Sequence, residues 1–149
     1  TKGPVCDGQC MTSIDGVFSC GNALHVNDLV DFVSQNAEQA GKSAAAYSGR
    51  ERRLIEITPG DGLLYAVPQR LNLNEDNSKT DLYFRVREEE NNCVLHIYAD
   101  GKEILKKRYA FMSPPELENL TIDFSPCEFN ENSRVELRLE RLGKGDGVK

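Results

Sequence analysis

"CVLHIYADGKEILKKRYAFM", Cys93 to Met112, decides the fold of this chain. Val94, His96 and Tyr98 fall on one face of an extended segment, and Leu95, Ile97 and Ala99 on the other, because side chains alternate along a strand. Asp100-Gly101 stands between this run and "KEILKKRYAFM". A two-residue Asp-Gly link between apolar-patterned runs is a strong hairpin signal, since both turn residues must adopt positive φ.

Working outward, the same short-strand pattern recurs. "RLIEIT" (Arg53–Thr58), "LLYAVPQRL" (Leu63–Leu71), "DLYFRVRE" (Asp81–Glu88), "NLTIDFS" (Asn119–Ser125) and "RVELRLE" (Arg134–Glu140) join the hairpin's two strands. Most alternate apolar and polar residues, as half-buried antiparallel strands do. Pro59-Gly60-Asp61-Gly62 and Ser113-Pro114-Pro115 read as turns or loops. Glu88-Glu89-Glu90 reads as a solvated turn. Seven short strands over residues 50–142 point to an all-β sandwich of immunoglobulin or fibronectin type. Residues 143–149, "GKGDGVK", have no apolar anchor and are expected to fray.

The composition shifts at residues 48–52. Residues 1–49 carry a strand-like run (Ile14, Val17, Phe18, Cys20), a Cys20-Gly21-Asn22 break, a polar loop with His25, and then a helical pattern. Leu29, Val30, Val33, Ala37, Ala40, Gly41 and Ala44 recur at helical spacing, predicting a helix over Asp28–Tyr47. Asn27 or Asp28 is placed to cap it, and Asp31 adds favourable charge in its first turns. Such a helix spans roughly 30 Å. Its stripe of Ala and Gly allows another backbone to come close. One strand and one helix cannot bury each other, so this unit calls for a sheet of its own that the chain does not supply.

The chain has 149 residues, is 39% hydrophobic and 28% charged, and carries a net charge of −6. That balance supports a packed core and argues against nucleic acid as a partner. No apolar run reaches the about 18 residues of a membrane span. The start, "TKGPV", has neither Met nor the basic and apolar regions of a secretory signal, so we expect a fragment or processed chain with reduced thiols in a cytoplasmic setting. Its five cysteines are irregularly spaced. Cys6 and Cys10 are three residues apart, not two, and no second pair follows, so neither a redox pair nor a metal site is indicated. Cys20 reads as a small hydrophobe, and His96 as a face residue of a sheet. His25 lies in a loop, where functional groups concentrate. Gly21 allows close backbone approach, and Asn22 can donate or accept a hydrogen bond. The helix start can aim its unpaired N–H groups at an electron-rich ligand. No glycine-rich phosphate loop occurs.

"TSIDGVFSCGN", followed by "QNAEQAGKSAAAY", resembles the C-terminal FAD-contacting segment of the pyridine nucleotide-disulfide oxidoreductase family. The family pattern is T-S-x-x-G-[VI]-[FY]-A-x-G-D, then a helix ending A-G-x-x-A-A. Thr12, Ser13, Gly16, Val17, Phe18 and Gly21 match, as do Ala40, Gly41, Ala44 and Ala45. The longer stretch "GNALHVNDLVDFVSQNAEQAG" looks closer to a bacterial branch of NAD(P)/FAD-dependent oxidoreductases often linked to glycerol 3-phosphate metabolism. The likeness covers Pro4 to about Tyr47. It implies that Asn22 stands where the family has an Asp bonded to the ribityl–pyrophosphate part of FAD. It also implies that the backbone at Leu29 and Val30 approaches the flavin ring, that His25 and Asn27 lie near the flavin or the interdomain cleft, and that NAD(P)H is the co-substrate.

The family's glycine-rich FAD fingerprint and its NAD(P)H domain are not in these 149 residues. The resemblance therefore implies the C-terminal piece of a larger flavoenzyme, inactive alone, whose partners are the remaining FAD- and NAD-binding domains. A reading from another class is a non-catalytic interaction module, with the apolar helical stripe favouring a homodimer. A third, a thiol-redox or metal protein, would need Cys6 and Cys10 to act together.

Overall fold

The hairpin expected at Asp100-Gly101 is present in the computed structural model, which describes residues 1–142. It joins β5 (Glu90–Ala99) to β6 (Lys102–Met112), and its two turn residues have φ of 48° and 80°. Those positive angles match the right-handed twist of the strands they connect.

The other strands are β1 (Leu54–Pro59), β2 (Leu63–Val67), β3 (Arg70–Asn72), β4 (Thr80–Val86), β7 (Glu118–Ile122) and β8 (Arg134–Arg141). They form a five-stranded sheet in the order β3-β1-β8-β5-β6 and a three-stranded sheet in the order β2-β4-β7. All pairs are antiparallel except β1 with β8, which run parallel. With one α-helix, α1 (Val30–Ala46), the described residues make a mostly-β α+β fold.

Side chains from both sheets meet in one core. Ile55 and Ile57 of β1, Leu95 and Ile97 of β5, and Val135 and Leu137 of β8 join Leu82 and Phe84 of β4. Each such buried side chain contributes about 1.5–3 kcal/mol. By contrast α1 buries only Asn36 and Ala40. The β region therefore holds the structure, and the helix depends on it.

Several expectations are corrected. The run Leu63–Leu71 is two strands, because Pro68 has no N–H for a ladder. Gln69 leaves the line of β2: its carbonyl accepts from the Ile57 N–H (2.8 Å) and its own N–H donates to the Cys6 carbonyl (3.1 Å). Glu90 is not part of a solvated turn. It opens β5, is buried, and pairs with Arg141. The run from Ile14 to Cys20 forms no strand. It contributes one bridge, Met11 with Phe18, and a turn closed by the Thr12 N–H on the Val17 carbonyl (2.8 Å). The helix starts at Val30 and ends at Ala46, two residues after and one before the expected limits. The expected frayed tail, 143–149, lies outside the described residues.

The N-terminal unit does not stand apart from the sheets. The Cys6 carbonyl accepts N–H groups from Gln69 and Arg70 (3.1 and 3.2 Å), and Asp7 bridges Arg70 at the end of β3. Cys6 and Leu24 share a second apolar cluster with Val67, Tyr83 and Leu117, flanked by Phe32 and Tyr65. Gly3 packs so tightly that a Cβ there would lie 2.1 Å from the Leu24 carbonyl oxygen.

Candidate functional site

The loop between the N-terminal turns and α1 is built on Gly21. Its φ of 57° starts a short 3-10 turn, Gly21–Ala23, whose Gly21 carbonyl accepts the N–H of Leu24 (3.0 Å) and of His25 (3.2 Å). A non-glycine residue would be strained there. Asn22 is exposed, and its Oδ1 accepts the Asn27 N–H (3.1 Å). The Asn27 side-chain amide donates to the His25 carbonyl (2.9 Å). The loop is thus a self-bonded arch between Asn22 and Asn27.

His25 points inward. It is 3% exposed, with its ring centroid 5.1 Å from Tyr83 and 6.3 Å from Tyr65. Neither ring nitrogen has a partner in hydrogen-bond geometry. Burial lowers its pKa below the ordinary histidine range. The Val26 backbone and the Asn36 side chain lie close enough to oppose that shift, but burial outweighs them. A neutral imidazole enclosed by two tyrosines is the state this pocket favours.

Leu29 and Val30 point outward, 55% and 80% exposed. Leu29 is the N-cap of α1 in extended backbone, and no side chain caps the helix. The first-turn N–H groups are therefore left without a side-chain acceptor, and Asp31 is the one acidic residue in that turn. Gly21, Asn22, Leu29 and Val30 flank this helix start, whereas His25 lies beneath it against β2 and β4.

The expected cap, Asp28, is committed elsewhere. Its Oδ1 accepts from Arg85 Nη2 at 2.5 Å, and its Oδ2 accepts the Leu117 N–H at 2.5 Å. Arg85, with a side chain 9% exposed, also donates to the Val26 carbonyl (3.1 Å), the Tyr65 hydroxyl (2.8 Å) and the Pro115 carbonyl. A second arginine, Arg52, donates to Asp7 (3.3 Å), the Thr12 carbonyl (2.8 Å) and Asp15 (2.6 Å). Neither arginine is visible as a site residue in sequence, because each partner lies tens of positions away.

The cysteines form no bonds with one another. All five are free, with Cys6, Cys10 and Cys93 buried and Cys20 and Cys127 half-buried. Burial pushes the Cys10 thiol up to about 12 and raises Cys6 further, so both stay protonated at neutral pH. Among the described residues no group of three or more His, Cys, Asp or Glu side chains gathers as a metal site. His96 is more enclosed than a simple face residue: its two ring nitrogens meet Glu103 (2.5 Å) and Glu140 (3.0 Å). An open groove of about 780 Å³ runs beside the second half of α1, lined by Gln39, Lys42, Tyr47, Arg50, Asn74 and Lys79 among others. No helix among the described residues is long and apolar enough to cross a membrane.

Comparison with protein-family models, with curated proteins and with solved structures finds no match. The class that fold and site define is thus a mostly-β α+β chain whose single helix, among the described residues, has an uncapped, apolar-rimmed N-terminus.

Proposed function

We propose that this chain is the C-terminal portion of an FAD-dependent, NAD(P)H-linked oxidoreductase of the pyridine nucleotide-disulfide type, contributing its last cofactor-contacting loop and helix. The observation that carries the reading is the bare start of α1. Unpaired N–H groups and partial positive charge stand there beside exposed Leu29 and Val30 and the polar Asn22. Such a surface suits a flat ligand with an electron-rich edge. The residues present fit that part of a flavin site: Gly21 lets the backbone come close, Asn22 supplies a hydrogen-bonding amide, and the helix start supplies N–H donors. When bound, the flavin would supply hydride acceptance. This chain's part is to orient and to exclude water, with His25 held neutral behind the loop.

A second observation supports a larger assembly. Nine large hydrophobic residues are exposed among the described residues, and seven lie between Val5 and Tyr47, the others being Leu64 and Phe111. Along α1, Val30, Val33, Ala37, Gly41 and Ala44 make one stripe, of which only Val33 is even half-buried. Such a stripe suits close packing against the remaining FAD- and NAD-binding domains of the parent. We read the β region as an immunoglobulin- or fibronectin-like sandwich supporting that surface, and the free thiols as those of a cytoplasmic protein.

The test has two parts. The reading frame upstream of the Thr1 codon should encode a strand–turn–helix with the GxGxxG pattern. The 149-residue chain, purified alone, should be colourless and should not oxidise NADH. A yellow, NADH-oxidising preparation of this chain would sink the claim that it supplies only part of the site. The rival reading, a non-catalytic dimerisation module, draws on the same exposed apolar residues. It predicts a stable dimer by light scattering with no upstream nucleotide fingerprint.

A further inference from the structure

We propose that Arg85 is the positioning residue of the α1 start, and that the β region is thereby an integral part of the cofactor site. What the loop faces is taken from the flavin reading above. How the loop is held stands on geometry alone.

Two residues before α1 are good helix caps, Asn27 and Asp28, and both are diverted. Asn27 directs its side-chain amide to the His25 carbonyl and its backbone N–H to Asn22. Asp28 gives one oxygen to Arg85 and the other to the Leu117 N–H. Leu29, which has no side-chain acceptor, is left at the cap position. An aspartate at the cap would satisfy a first-turn N–H and set a negative charge in front of the helix. Drawing Asp28 onto Arg85 keeps that position open for an acceptor from outside the chain.

The arginine is itself fixed. Tyr65, its cross-strand partner on β2, accepts from Nε at 2.8 Å. Nη1 reaches the Pro115 and Pro114 carbonyls in the segment between β6 and β7. Nη2 takes both Asp28 and the Val26 carbonyl. One planar guanidinium therefore joins the arch before α1, the three-stranded sheet and the Ser113–Leu117 segment. A lysine cannot reproduce this, because it offers a single charged head in place of a rigid fork.

Hydrogen–deuterium exchange on the 149-residue chain tests the strap directly, using Asp28→Ala, Arg85→Lys and Arg85→Met. In Asp28→Ala, exchange over residues 22–34 should quicken by about tenfold or more, the scale of one lost charge-assisted hydrogen bond, while β5 and β8 stay protected. Arg85→Lys should fail to restore wild-type rates. Unchanged exchange over residues 22–34, or an equal loss of protection throughout the chain, overturns the proposal. If Arg85→Met does not fold, Asp28→Ala and Tyr65→Phe carry the test.

The second arm uses the full-length product loaded with FAD. Asp28→Ala should shift the visible flavin band and weaken flavin retention. An unaltered flavin band in that variant also overturns the proposal. If the product takes up no flavin, the flavin reading falls, and the exchange result still decides the strap.

Discussion

Arg52 sits between two aspartates of very different setting: Asp7, whose side chain is fully buried, and Asp15, which is 70% exposed. Asp7 also accepts the N–H groups of Gln9 (3.1 Å) and Met11 (3.0 Å), so it shapes the first turn of the chain as well as tying it to the β region. Burial raises its carboxyl above the usual range, against the pull of those N–H groups and of Arg52. We expect Arg52→Met to cost about 3 kcal/mol, because it removes the cation from a buried carboxylate. Asp15→Asn should change stability by less than about 1 kcal/mol, as exposed pairs do. Urea midpoints for the two variants check this, and equal effects would contradict the assignment.

Glycine substitutions should separate two kinds of close approach. Gly3→Ala places a methyl 2.1 Å from the Leu24 oxygen, which is backbone and cannot swing aside. We expect a loss of about 2 kcal/mol or more. Gly41 lies in α1, and a methyl added there would meet nothing within 4 Å. Gly41→Ala should therefore stabilise this chain by about 0.5–1 kcal/mol through helix propensity. In the full-length product proposed above the sign should reverse, because another backbone would pack against that stripe. Thermal unfolding of both forms gives the comparison.

His25 supplies a pH dependence. Its folded-state pKa is lowered, so the unfolded chain binds the proton more readily. Its contribution to stability is complete above the ordinary histidine value and is lost as pH falls from there through the folded value. The slope cannot exceed about 1.4 kcal/mol per pH unit for one group. Urea unfolding across mildly acid pH should show this decline in wild type and a flatter curve in His25→Leu. A wild-type stability that rises on acidification through this window would refute it.

Thiol reactivity follows burial. Cys20 and Cys127 are half-buried, while Cys6, Cys10 and Cys93 are enclosed. A disulfide reagent at neutral pH should label the first two in the native chain and the other three only after denaturation. Fast native labelling at Cys6 and Cys10 would instead revive the thiol-pair reading.

The β half was legible because its signals are local. Alternation in Leu95 and Ile97 and the Asp100-Gly101 turn need only neighbours to be read. The start of α1 was not, because the role of Asp28 is decided by Arg85, 57 positions later. A capping rule sees Asp28 and predicts a cap; a guanidinium brought from β4 draws the same carboxylate away from the helix. Glu90 went astray for the same reason, since Arg141 lies 51 positions on. The inward turn of His25 was hidden too, because Tyr65 and Tyr83 are remote in sequence. The candidate residues Gly21 and Asn22 lie in the 3-10 turn, and Leu29 and Val30 at the helix start it leads into, a proximity that follows from their closeness in the chain.

The last described strand, β8, lies inside the five-stranded sheet, between β1 and β5. During synthesis β1 must wait for Arg134–Arg141 to leave the ribosome before its parallel partner exists. A nascent chain stopped short of Arg134 would leave β1 and β5 with facing edges open, exposed to pairing with other chains. Sealing of this sheet therefore waits for β8, which follows all seven of the other strands in the chain, and the strands made first spend the longest time unprotected.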